Sequence, residues 1–203
     1  MTPSTNPFTL RSAAGLPPEA PDLAESILLI IDAQVEYSAD GALPLPNVDA
    51  ATERISALAE AARALGTPVV HIVHHGKTGG LFDPDSGGRI LRSAAPDNGE
   101  RVAAKSLPNA FAGTDLLDHI EQLQRRPLIL AGFMTHMCVS STARAALDLG
   151  LHTCVVSDAT ATRALPSTSQ GGAALSAESV HAAALAALAD RFSVVADTAT
   201  VIG

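Results

Sequence analysis

The chain has no tryptophan, one tyrosine and five phenylalanines, so aromatics make up only 3% of its 203 residues. Alanine and β-branched residues must therefore fill the core, the first favouring helices and the second buried strands. Cysteine is as scarce: Cys138 and Cys154 alone cannot build a disulfide scaffold. There is no basic run. With a formal charge of -8 the chain lacks the patch that neutralises phosphates, which argues against a nucleic-acid partner. No apolar run is long enough to span a bilayer, so no membrane role is expected. The N-terminal MTPSTNPFTLRSAAGLPPEAPDLAES lacks the basic start and apolar stretch of a secretory signal, so a soluble, cytoplasmic protein is expected. At 47% hydrophobic and 17% charged residues the chain is too apolar for disorder, and its length suits one domain with a full core.

Prolines 3, 7, 17, 18 and 21 argue against a regular element at the start, so residues 1–24 read as an N-terminal arm and 25–203 as the domain. Apolar runs then alternate with helical periods. Strands are expected at Ser26–Ala33, Pro68–His74, Arg101–Ser106, Pro127–Ala131, Thr153–Ser157 and Phe192–Ala196. Helices are expected from an Asn47 cap to Leu65, from Thr114 or Asp115, over Cys138–Leu149, and after a Ser176 N-cap. Strand, helix, strand, repeated, predicts a three-layer αβα sandwich with a mostly parallel, Rossmann-like central sheet. In such sheets ligands bind beyond the carboxyl ends of the strands. The glycine-bearing stretches 75–100 and 158–175 read as lids, interface segments or plain surface loops.

Three residues fall at those strand ends. Asp32 closes the first apolar run, where a lone buried carboxylate is costly and a turn aspartate is the ordinary alternative. Lys105 stands among small and apolar residues in VAAKSLPNAF, or is a surface lysine on an edge strand. Cys138 opens a helix after a short loop, where the helix end lowers a thiol pKa, or is a small buried side chain. Together they can form a nucleophile, a carboxylate to take its proton and an ammonium to hold the pair. Cys154, inside TCVVS, reads as inert core.

These segments resemble the isochorismatase-like cysteine hydrolases, a family that includes nicotinamidases and N-carbamoylsarcosine amidase. LLIIDAQ is similar to the family's strand ending in Asp-x-Gln, KSLPNAFAGTDL to its lysine segment, and AGFMTHMCVSSTARAALDLG to its nucleophile segment. The likeness spans about residues 25–202. It implies Cys138 as nucleophile, Asp32 as base and Lys105 as third member of a triad. It further implies a cis peptide at Phe133–Met134, with the backbone N–H groups of Met134 and Cys138 forming an oxyanion hole. By position Gln34, Tyr37, Phe111 and Thr135 would contact substrate, Thr135 also fixing its loop. A homodimer or larger homo-oligomer is implied as well, with the alanine-rich last helix and the 158–175 loop as candidate interfaces.

The chain lacks the Asp-x-His pair through which nicotinamidases hold a metal, so no metal and no cofactor are expected. His74 and His75 follow a strand and read as structural or mouth-lining, and His136 as a loop residue near the cysteine. What remains is hydrolysis of an amide, carbamoyl, ureido or lactam C–N bond in a small molecule through a thioester. The alternatives are ether C–O hydrolysis of the isochorismatase type, or a retired member acting as a binding or assembly module. The glycines of 76–88 and the few aromatics suggest an open or mobile pocket.

Overall fold

The structure is a computed structural model describing residues 8–125 and 127–203. Its sheet contains β1 (Ile27–Ile31), β2 (Val69–His74), β3 (Arg101–Lys105), β4 (Pro127–Phe133), β5 (His152–Ala161) and β6 (Val194–Ala196). The spatial order is β3-β2-β1-β4-β5-β6, and every neighbouring pair is parallel. The helices are α1 (Leu10–Ala13), α2 (Val48–Ala64), α3 (Leu116–Leu123), α4 (Ser140–Asp148), α5 (Ala177–Arg191) and α6 (Thr198–Ile202).

β1 lies in the middle of the sheet, which explains its unbroken apolar run: both faces need covering. Leu28 and Ile30 pack with Ile55, Leu58 and Ala62 of α2. Ile27, Leu29 and Ile31 pack on the other side with Leu116 and Ile120 of α3, Ala143 and Ala146 of α4, and Leu188 of α5. The result is the expected αβα sandwich, here with an all-parallel sheet. Cys154 is fully buried in the α2 layer, as a small apolar side chain would be. No helix among the described residues is long and apolar enough to cross a membrane.

Several boundaries differ from the sequence expectation. The prolines do not prevent one helical turn: α1 forms between Pro7 and Pro17, closed by a reciprocal Thr9–Ser12 capping box. The expected Asn47 side-chain cap is absent, since Asn47 sits in the left-handed region at φ 62. Ser176 does cap α5, accepting from Ser179 N at 3.2 Å. β5 was expected to stop at Ser157 but continues to Ala161. While β4 advances from Leu130 to Gly132, β5 advances from Val155 to Thr160, so the extra residues bulge out and pairing resumes beyond them. A bulge breaks the apolar period, which is why the sequence reads as a strand end.

From β1 the chain runs through β2 and β3 to one side and through β4, β5 and β6 to the other. This reversal at the carboxyl ends of β1 and β4 is where sheets of this kind bind ligands. The two strands approach closely because of Gly132, at φ 114. A Cβ there would lie 1.9 Å from the Ile31 carbonyl oxygen.

Candidate active site

Asp32 follows β1, Lys105 ends β3, and Cys138 follows β4, so three separate segments deliver one side chain each to a single cluster. Lys105 Nζ lies 2.7 Å from Asp32 Oδ2 and 3.4 Å from Cys138 Sγ. The Asp32 and Lys105 side chains are 0% exposed. β3 is indeed an edge strand, but Lys105 points inward from it, not into solvent. Asp32 Oδ1 is buried and takes no hydrogen bond from the described residues.

Burial pushes the Asp32 carboxyl above the ordinary carboxylate range, while the Lys105 charge opposes the rise. Cys138 departs from expectation. Its thiol is pushed up to about 12, first by burial and then by the charge of Asp32. The helix-end effect is outweighed because the cysteine is 5% exposed beside a carboxylate. It also precedes the α-helix proper, lying in a π-turn over Thr135–Val139 that leads into α4. The resting nucleophile candidate is a thiol, with an accepting carboxylate beside it.

The Phe133–Met134 peptide is cis. The turn that follows is tied down on both sides. Thr135 is buried, and its hydroxyl meets His181 Nδ1 of α5 at 2.9 Å. His136 Nδ1 contacts the Thr162 hydroxyl beyond β5. Thr135 thus has the loop-fixing contact, and His181 is a partner the sequence did not single out.

Among the expected substrate contacts, Gln34 is spent on the fold. Its Nε2 donates to the carbonyls of His74 (2.9 Å) and Gly88 (2.6 Å), and its Oε1 accepts from His74 N at 2.9 Å. Tyr37 is 2% exposed and packs edge-on against Phe82 and Phe133, with ring centroids 5.3 and 5.8 Å apart. Burial and the Asp32 charge raise its phenol well above the usual range. Phe111 is half-buried against the layer that contains Cys138.

The 76–88 loop is not open. Glu36, 4% exposed, accepts from Phe82 N at 2.7 Å and from Ala42 N at 3.0 Å. Asp83 accepts from Gly79 N at 2.7 Å and Asp85 N at 3.0 Å. The glycines serve close packing: a Cβ on Gly87 would lie 2.2 Å from Glu36 Oε2.

Arg163 is a residue the sequence reading missed. It is half-buried, its Nε is enclosed without a partner among the described residues, and Nη1 donates to the Ala164 carbonyl at 3.3 Å. Its charge opposes the rise at Tyr37 and adds to burial in holding His136 below the usual histidine range. Reading β5 through its bulge would have put Arg163 at a strand end. Among the described residues, His74 and His75 do not stand in a group of three or more His, Cys, Asp or Glu side chains placed to hold an ion.

The family model described as an isochorismatase domain matches residues 26–200. A secreted isochorismatase effector of Verticillium dahliae is 38% identical over 78% of this chain and 84% of its own length. A maleamate amidohydrolase of Pseudomonas putida is 32% identical over 64% of this chain and 68% of its own. The crystal structure of an isochorismatase from Pseudomonas putida matches with a TM-score of 0.90 and 38% identity, covering 96% of this chain and 99% of that one.

Proposed function

Because the chain belongs to the isochorismatase family of hydrolases, we propose that it cleaves a C–N bond of a small amide, carbamoyl, ureido or lactam substrate through a thioester on Cys138. The observation that carries this reading is the Lys105 ammonium set between the Asp32 carboxylate at 2.7 Å and the Cys138 sulfur at 3.4 Å. The amidohydrolase named among its relatives supports the choice of bond.

The chemistry follows from the electrostatics. A thiol near 12 does not ionise alone at neutral pH, so its proton must move as the sulfur attacks. Asp32, its basicity raised by burial, takes that proton. The sulfur bonds to the carbonyl carbon, and the oxyanion is held by the N–H groups of Met134 and Cys138. Lys105 steadies the carboxylate and the developing thiolate. Asp32 then gives the proton to the leaving nitrogen, the C–N bond breaks and the thioester remains. Water loses a proton to Asp32 and attacks the thioester. The acid departs, and the proton returns to Cys138.

Ammonia release over a panel of small amides, ureides and lactams tests this. Wild type should turn over at least one, and Cys138→Ala none, with unchanged circular dichroism. Turnover retained by Cys138→Ala would remove Cys138 as nucleophile. Arg163 makes a substrate with an anionic substituent the better fit, since a half-buried guanidinium with no carboxylate among the described residues gains most from one. Labelling of Cys138 by iodoacetate relative to iodoacetamide reads this. Arg163→Met should lower that ratio about 10-fold, and an unchanged ratio would take Arg163 out of substrate binding.

A further inference from the structure

Lys105 Nζ has a third neighbour besides Asp32 and Cys138: His74 Nδ1, at 3.4 Å. An ammonium has three hydrogens and no lone pair, so it can only donate. His74 Nδ1 must then offer its lone pair, which places the ring hydrogen on Nε2. Burial and then the positive charge of Lys105 hold His74 below the usual histidine range, against the opposing pull of Asp32, so the ring is neutral at pH 7. Its orientation is built in. Phe82 packs edge-on against the imidazole at 5.0 Å, and Phe82 is itself held by Glu36 through its N–H and by the ring of Tyr37. His74 is half-buried, and no acceptor among the described residues takes the hydrogen on Nε2. A donor on a ring held by packing, one contact away from the Asp32–Lys105–Cys138 cluster, is left without a partner among the described residues.

We propose that His74 is a substrate-contacting residue, its Nε2–H donating to an acceptor of the substrate other than the carbonyl being cleaved. The substrate class narrows accordingly: a small amide with a second acceptor, such as another carbonyl or a ring nitrogen, close to the scissile bond. The inference rests on Cys138 being the nucleophile. It differs from a metal-ligand role, which would need the Nε2 lone pair that this tautomer lacks.

Two measurements test it. Long-range proton–nitrogen NMR of the whole protein at pH 7.5 should show His74 protonated at Nε2 and bare at Nδ1. The second compares the alkylation rates of Cys138 by iodoacetamide and by allyl iodide, resolved from Cys154 by peptide mass spectrometry. In iodoacetamide the methylene takes the place of the scissile carbon, so the amide carbonyl falls where a second acceptor would. Allyl iodide has a similar size and no acceptor. His74→Phe keeps the packing on Phe82 and should lower the iodoacetamide rate about 10-fold relative to the allyl iodide rate. His74→Gln, whose amide N–H reaches about as far as Nε2, should stay within about 3-fold of wild type. Equal losses with both reagents would assign His74 to Lys105 alone and overturn the proposal. So would an unchanged ratio, or the Nδ1–H tautomer. Ammonia release retained by Cys138→Ala would instead bring down the nucleophile reading, and this inference with it.

Discussion

Enclosing a lysine and an aspartate together costs several kcal/mol of desolvation per ion, which their attraction offsets only in good geometry. At 2.7 Å and 0% exposure, the Lys105–Asp32 pair has that geometry, and under the proposed mechanism it serves reactivity more than stability. A neighbouring residue with no chemistry of its own is as necessary. Gly132 lets β4 run against β1, and so sets the distance between Asp32 and the Cys138 turn. Gly132→Ala would push a methyl group to 1.9 Å from the Ile31 carbonyl, at a φ of 114 that side chains avoid. It should destabilise the fold by more than about 3 kcal/mol, among the larger effects of single substitutions. Thermal melting reads this, and a variant melting within a few degrees of wild type would show that the strands can separate freely. Asp32, Lys105 and Cys138 were legible because each punctuates an apolar run with a reactive group. The need for glycine at 132 was not, because the obstructing atom belongs to a strand about 100 residues earlier.

Among the elements, the 76–88 segment shows how composition misleads. Five glycines and few aromatics read as mobility, yet here glycine permits close approach and the carboxylates of Glu36 and Asp83 hold the loop. Glu36 satisfies two backbone donors, Phe82 N and Ala42 N, on two different loops. Glu36→Ala leaves two partly buried donors unpaired and should cost about 1 kcal/mol for each. Amide exchange at Phe82 and Ala42 should quicken together while exchange in β1 stays slow. Protection unchanged at both positions would mean that something other than the carboxylate holds the loop. The β5 bulge is a second case. Its pairing resumes only because β4 supplies Gly132 and Phe133 as partners, and no period within β5 announces that.

For the whole molecule, acid should be the weakness. Glu100 joins the edge of the sheet to α2: Arg63 grips it at 2.8 and 2.9 Å, and Asp97 N and His71 Nε2 each reach it at 2.9 Å. This network brings its pKa down to about 2 from an ordinary 4.5, against the cost of burial. The unfolded chain therefore takes up the proton first as pH falls. The stabilisation, on the order of 3 kcal/mol, is complete above pH 4.5 and disappears between there and pH 2. His71, buried and held below its usual 6.5, adds a loss of the same sign that begins as pH drops under 6.5. Denaturant melts from pH 8 to pH 3 should show both windows. Glu100→Gln should flatten the lower one, and an unaltered slope below pH 4.5 would refute the network's part in it.

The sequence by itself determined the layer architecture, the parallel sheet and the ends of the strands where reactive groups sit. These follow from local periodicity and from the covering that a two-faced apolar strand demands, both written along the chain. Only the tertiary structure decided how those groups are placed and how their environment shifts their ionisation. Burial beside Asp32 turns Cys138 from an expected thiolate into a thiol with a proton to hand over. An inward turn makes an edge-strand lysine the centre of the site. Among the described residues, the folded arrangement leaves Arg163 Nε and His74 Nε2 without a partner. Each of these depends on dielectric and distance between residues far apart in the chain, and neither quantity exists until the sheet has closed around them.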